Sequence, residues 1–266
     1  MALKGLNVII TGASMGIGEA IARRVAAEGA NLALFARSKD KLQEITADLR
    51  KSHSRSKVIF KSIDVQSYES VNSAVKETVD ELGAIDVLIN NAGLALGAPA
   101  AFPDLKVSDI VTMNNTNING LMFATYAVLN SGMMSRKEGT ILNVTSTTAL
   151  EAPPFPGEAV YHANKACQDA FTNSLRNELS GTNIRVLALR PGAAATNFHS
   201  LRVGHNKELY DTFFQGYTPL EADDVAGAAI YMLNQPVNIS VKALDMVSSA
   251  QRSLNVFDRS WNERNA

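Results

Sequence analysis

Cysteine is almost missing from this chain, with Cys167 the only one in 266 residues. A disulfide framework and a cysteine-based zinc site are therefore excluded, and no metal is expected. Cys167 itself reads as a small packing residue two positions past Lys165. No charge of either sign dominates. A formal net charge of −1 gives no electrostatic basis for binding nucleic acid or an anionic membrane. Long hydrophobic runs are lacking too. The opening stretch, M-A-L-K-G-L-N-V-I-I, is far too short for a signal peptide or a membrane span, and nothing longer follows. The reducing cytoplasm is the expected address. No internal repeat, low-complexity tract or linker divides the chain.

What is present is an alternation of short β-branched runs with longer amphipathic stretches, the pattern of a parallel sheet covered on both faces. Strands are expected at Asn7 to Ile10, Leu32 to Phe35, Val58 to Ile63, Val87 to Ile89, Ile141 to Val144, Val186 to Leu189 and Ala243 to Val247. Two long helices, 107–134 and 159–180, bracket the fifth strand. The fold class is α/β: a single-domain, doubly wound Rossmann fold over residues 1–250, with about seven parallel strands. Two segments break the rhythm. Residues 147–158 form a proline-rich loop, and residues 193–220 form a long insertion of the kind that covers binding sites. The tail, 251–266, is expected to pack on a neighbouring molecule or to fray.

The chemistry-bearing residues begin with a glycine-rich turn straight after the first strand, containing Gly12, Ser14, Met15, Gly16, Ile17 and Gly18. Glycines there let the backbone approach a pyrophosphate, and the helix that follows offers free N–H groups and partial positive charge. Strand two ends Ala36-Arg37-Ser38, where an NAD-binding chain usually carries an acidic residue for the ribose 2′-hydroxyl. Arg37 and Ser38 suit a 2′-phosphate instead, so NADP(H) is the expected cofactor. The alternative is a solvated loop charge. Further on, Tyr161 and Lys165 stand four positions apart, fifteen residues after Ser146. An i, i+4 pair shares a helix face, so phenol and ammonium can enter one cleft. A neighbouring cation should pull the phenol's pKa down from about 10 toward neutrality, making it a proton donor or acceptor for a carbonyl or alcohol oxygen. Thr145, Thr147 and Thr148 could serve a strand-end turn as well as Ser146 does. His162 points about a hundred degrees off the Tyr161 direction and reads as structural.

In this order and rough spacing, the glycine turn, Asp64-Val65, Asn90-Asn91-Ala92-Gly93, Asn117 to Gly120, Ser146, Tyr161, Lys165 and Pro191-Gly192 resemble the short-chain dehydrogenase/reductase superfamily. Residues 91–97, 113–121, 198–202 and 243–246 resemble its NADP-dependent 3-hydroxy-acid dehydrogenase branch, which includes enzymes acting on serine and allo-threonine. The resemblance implies hydride transfer between a secondary alcohol and a ketone, with a 3-hydroxy acid as one substrate class. The alternative is a tailoring reductase for a bulky apolar ketone. It also implies roles. Ser146 would hold the substrate oxygen, Tyr161 pass the proton, Lys165 hold the nicotinamide ribose, and Asn117 anchor a water that completes a relay. Asp64 and Val65 would meet the adenine, and Asn90 to Gly93 would pass beneath the ribose. Pro191, Gly192, Ala193, Ala194 and Thr196 would serve the nicotinamide amide or the pyrophosphate. Arg202 is the candidate cation for a substrate carboxylate, while Phe155, Phe198, Phe213 and Phe214 could instead wall an apolar pocket. The partners expected are a small-molecule substrate and other copies of the chain. A homotetramer or homodimer would pack through Leu121, Met122, Phe123, Tyr126 and Val128, with Phe171 and Leu175. The chain departs from the branch in its longer loop, with Pro153, Pro154 and Pro156, in having Ala149 where a glycine is usual, and in Asn197 where an acidic residue is commoner.

Overall fold

The computed structural model describes residues 3–153 and 155–266. Pro154, one of the three loop prolines noted above, lies outside the described residues. In chain order the first half comprises β1 (Asn7–Thr11), α1 (Gly16–Ala27), β2 (Asn31–Ala36), α2 (Lys39–Ser52), β3 (Val58–Ser62), α3 (Tyr68–Leu82) and β4 (Val87–Asn90). Next come α4 (Val107–Asn114), α5 (Gly120–Val128), α6 (Met134–Arg136), β5 (Glu138–Val144), α7 (Ala159–Glu178) and β6 (Asn183–Pro191). The chain ends with α8 (Asn197–Arg202), α9 (Lys207–Phe214), α10 (Ala222–Leu233), β7 (Ala243–Met246), β8 (Gln251–Ser253), β9 (Val256–Phe257) and α11 (Trp261–Arg264).

Seven strands form one sheet in the order β3-β2-β1-β4-β5-β6-β7, every neighbouring pair parallel. Side-chain alternation along each strand feeds two cores. Val8, Ile10, Leu32 and Leu34 join Ile21, Leu42 and Val225 of α1, α2 and α10. On the other face, Ile9, Ala33 and Phe35 join Val71, Val128 and Leu175 of α3, α5 and α7. This is a single-domain Rossmann-like fold. Its order reverses at β1/β4, and a crevice opens there at the carboxyl ends of the strands, where ligands bind in such sheets.

Several details differ from the sequence expectation. β5 and β6 are longer, because their ladder runs from Glu138 opposite Asn183 to Val144 opposite Leu189. Gly139 is thus inside a strand rather than the turn before it. The long helix expected at 107–134 is interrupted by two wide π-helical turns, Asn115–Asn119 and Leu129–Met133, the second kinked at Gly132 (φ 133°). The insertion 193–220 carries two helices, α8 and α9, and closes with a bridge pairing Ala194 with Leu220. The tail does not fray. It turns back as the β8–β9 hairpin, and Phe257 stacks on Tyr217 (4.9 Å between centroids) and meets Phe213 edge-on at 5.4 Å. Leu254 N–H and the Asn255 amide reach Glu151 and the Ala152 carbonyl, tying the tail to the proline-rich loop. Among the described residues, no helix is long and apolar enough to cross a membrane.

Candidate active site

At the crevice, β1 runs into a turn whose geometry only glycine satisfies. Gly12 sits at φ 66°, where a Cβ would come within 2.8 Å of Ala92 Cα. At Gly18 a Cβ would meet the Gly12 carbonyl oxygen at 2.3 Å, so α1 packs against the turn only without a side chain. The turn is held to the end of β4 from both sides. Asn91 Nδ2 donates to the carbonyls of Thr11 (3.1 Å) and Gly12 (3.2 Å), while Thr11 Oγ1 accepts from the N–H groups of Asn91 and Ala92. Met15 begins α1 without a side-chain cap, which leaves the helix N–H groups free for an anion. A cradle of backbone donors with no room for a Cβ fits a dinucleotide pyrophosphate.

Every cofactor and catalytic position singled out from the sequence lines this one cleft, except Asn90 and Asn117. At its adenosine end lie Arg37 and Ser38, both exposed, and Asp64, whose Oδ1 accepts from Gln66 N–H at 3.0 Å. Among the described residues, no carboxylate pairs with Arg37. Asn90 is a correction. It is the last residue of β4, and its side chain turns into the protein, where Nδ2 donates to Thr125 Oγ1 and Asn143 Oδ1 at 2.9 Å each. Its role is to cross-link the sheet to the helices behind it, and the next residue, Asn91, is the one that faces the cleft. At the far end, Ala193 N–H is taken by Gln251 Oε1 (3.0 Å), so it is not free for a nicotinamide amide. Ala194 and Thr196 remain on the wall.

The three catalytic candidates meet in the middle. Ser146 Oγ donates to Thr148 Oγ1 (3.0 Å) and lies 3.3 Å from the Pro191 carbonyl, while accepting from Thr148 N–H. It therefore caps its turn as well as facing the cleft, and its hydroxyl is near enough to Tyr161 to favour the phenolate. Lys165 Nζ lies 5.7 Å from the Tyr161 ring centroid. It donates to the Val144 carbonyl (3.2 Å) and Gln168 Oε1 (3.0 Å). The sequence expectation for the tyrosine pKa is reversed in this state. Burial pushes the Tyr161 phenol up, against a downward pull from Arg202 and the Ser146 hydroxyl, with Glu158 adding to the rise. Burial also brings the Lys165 ammonium down to about 8, only partly offset by Asp169.

Asn117 is fully buried within the π-helical turn and lies behind the cleft. Its side chain pairs with both backbone groups of Leu94, and Nδ2 also reaches Asn164 Oδ1. Its carbonyl accepts from Gln168 Nε2 at 2.6 Å. Gln168, which the sequence reading missed, thus bridges Lys165 and the Asn117 main chain. The signal was its place one helical turn beyond Lys165, a polar residue on an inward face. His162 packs structurally, its Nδ1 against the Thr148 carbonyl.

The cleft's outer end is made by the insertion and the tail: Phe198, Leu201, Phe213, Leu254 and Phe257 line it. Phe155 and Phe214 do not line it, contrary to expectation. Phe155 covers the guanidinium of Arg202 instead (4.8 Å), and Phe214 packs against His199, Tyr210 and Tyr217. Arg202 does border the cleft, but it is buried in an ion pair with Glu158, its Nε and Nη2 each on a carboxylate oxygen. Nη1 lies 3.1 Å from His199 Nδ1, and burial with the nearby guanidinium brings that imidazole down to about 3, so it is neutral.

Comparison with known proteins agrees with this geometry. The chain is similar to sulfoacetaldehyde reductase 2 of Chromohalobacter salexigens, at 36% identity covering 92% of this chain and 94% of that protein. It is similar to an NADP-dependent 3-hydroxy acid dehydrogenase of Schizosaccharomyces pombe, at 35% identity over 90% of this chain and 91% of that one. Among solved structures, the closed form of serine dehydrogenase complexed with NADP+ superposes with a TM-score of 0.85, at 32% identity, covering 92% of this chain and 96% of that chain. With residues 6–205 matching the short chain dehydrogenase family, this chain belongs to that family.

Proposed function

We propose that the chain is an NADP(H)-dependent oxidoreductase that interconverts a secondary alcohol and a ketone. The observation that carries this reading is the convergence of Ser146, Tyr161 and Lys165 on one wall of a cleft whose other end is a glycine cradle. The cradle and the α1 N-terminus take the pyrophosphate, and Arg37 with Ser38 takes a 2′-phosphate. Asp64 and Val65 bound the adenine, Ala92 and Gly93 lie along the ribose, and Pro191, Gly192, Ala194 and Thr196 face the nicotinamide. When bound, the dinucleotide supplies or accepts the hydride.

The chain's own residues handle the oxygen and its proton. Ser146 Oγ orients the substrate oxygen, and Tyr161 Oη donates the proton in reduction and takes it in oxidation. Lys165 holds the nicotinamide ribose hydroxyls and places its positive charge beside the phenol. Gln168 fixes Lys165 from behind and links it to the Asn117 carbonyl.

Relatives named for a 3-hydroxy acid and for sulfoacetaldehyde favour a small acidic substrate. One specific observation favours the second reading, an uncharged apolar ketone: the outer cleft is lined by Phe198, Leu201, Phe213, Leu254 and Phe257, and its one arginine is already paired. We read the assembly as a homotetramer or homodimer packed through α5 and α7, supported by the exposed Tyr126 and the half-buried Phe123 and Phe171. The lone free Cys167 is in keeping with a cytoplasmic setting. The deciding experiment is Tyr161→Phe, followed by NADPH consumption over a panel of ketones. Turnover should fall by about 10²–10⁴-fold with NADPH binding retained; undiminished turnover would end this assignment.

A further inference from the structure

We infer that Glu158 occupies Arg202 permanently and thereby sets the substrate class: a carbonyl or alcohol without a negative charge, carrying an apolar group. This rests on the oxidoreductase reading and narrows it. Among the described residues, Arg202 is the one cation lining the outer end of the cleft, and in a cleft built for carboxylates it would be the clamp. Here both oxygens of Glu158 lie on its Nε and Nη2, and the third nitrogen faces His199. Both charged residues are buried, Arg202 to 5% exposure and Glu158 to 3%. Phe155 and Phe213, packed on each other at 5.4 Å between centroids, lie against the guanidinium at 4.8 and 5.6 Å.

A substrate carboxylate arriving there would set a second anion against a single cation already neutralised. It would either leave Glu158 buried and unpaired, which is strongly unfavourable, or remain unpaired itself. Among the described residues, no other cation lines that end. His199 is neutral, and Arg259 spends its Nη1 on the carbonyls of Phe213 and Gln215 while lying over Tyr217 and Phe257. What remains exposed to a substrate is aromatic and aliphatic surface. Glu158 is also well placed to keep this arrangement. It opens α7 three residues before Tyr161, on the proline-rich loop, whereas Arg202 closes α8 on the insertion. The pair joins two segments 44 residues apart in sequence and fixes the wall next to the phenol.

The test compares matched substrates in the full chain with NADPH: 3-oxobutanoate and longer 3-oxo acids against the ethyl ester of each. The wild-type chain should reduce the esters with kcat/KM about a hundredfold above the acids. Glu158→Gln keeps the shape and frees the guanidinium, so the ester-to-acid ratio should fall by about tenfold or more, through the acid KM. A merely structural role for Glu158 would scale both substrates alike and leave the ratio fixed. Equal efficiency on acid and ester in the wild type overturns the inference, as does an unmoved ratio in folded Glu158→Gln. Should the variant not fold, the wild-type ratio alone decides. A chain that consumes NADPH with neither acids, esters nor plain ketones overturns the oxidoreductase reading itself, and the inference with it.

Discussion

At the dinucleotide end of the cleft, position is set by turns that leave parallel sheet strands directly, whereas at the substrate end it is set by side chains that meet between loops and the insertion. The cradle consists of two turns that follow β1 and β4 directly, held together by Asn91 and Thr11. Parallel strands fix those turns in place, so little freedom is left to lose on binding. The outer end depends on the Glu158–Arg202 pair, on Gln251 bracing Ala193, and on an aromatic cluster shared by α9 and the tail. One end can serve any substrate that the cofactor can reach. The other can be re-cut by single replacements without disturbing the first.

The largest effect that would break this contrast is at Gly18. A Cβ there would lie 2.3 Å from the Gly12 carbonyl oxygen, so α1 packs against that turn only without a side chain. Gly18→Ala should weaken NADPH binding by about a hundredfold or more, since the Gly12 backbone that the Cβ would strike cannot yield. Fluorescence titration of NADPH measures it. Retained affinity would show that the main chain at this end can yield by several tenths of an ångström. Next in size is Arg37→Leu, which removes the exposed cation beside Ser38. NADPH affinity should drop by about ten- to a hundredfold, and NADH affinity should stay put. An equal loss for both cofactors would make Arg37 a general structural residue.

The same contrast explains what could be seen in the sequence. Glycines in a turn, an Asn-Asn-Ala-Gly run after a strand and a Tyr-x-x-x-Lys pair are local patterns, and each constrains the backbone within a few residues. The sheet, its strands and the cleft were legible for that reason. Asn90 misled because a run of like residues hides which of them points outward; strand pleating sends Asn90 to Asn143 and Asn91 to the cradle. Glu158, Gln251 and Phe257 were not legible. Their partners are fixed by tertiary packing, 58 residues away in the case of Gln251 and Ala193. The tyrosine pKa was misjudged for a related reason: a neighbouring cation was visible in the sequence, but the burial that outweighs it was not.

Phe257 gives the smallest effect and the finest test of the division between the two ends. It belongs to the tail, yet it borders the cleft and stacks on Tyr217 at 29° between ring planes. Phe213, which it meets edge-on, is the residue that also flanks Arg202. Aromatic contacts of this kind contribute about 0.5–1.5 kcal/mol each beyond their buried area. Phe257→Ala therefore removes a few kcal/mol at most from the wall, far too little to unfold a core built on the seven-stranded sheet. The substrate KM should rise by roughly tenfold while NADPH affinity is unaltered, because the ring of Phe257 packs on Phe213 and Tyr217 of the substrate wall and not on the glycine cradle. A parallel loss of NADPH affinity, measured in the same titration, would mean that the tail holds the nicotinamide loop through Gln251 as firmly as it holds the substrate wall, and that the two ends are one cooperative unit.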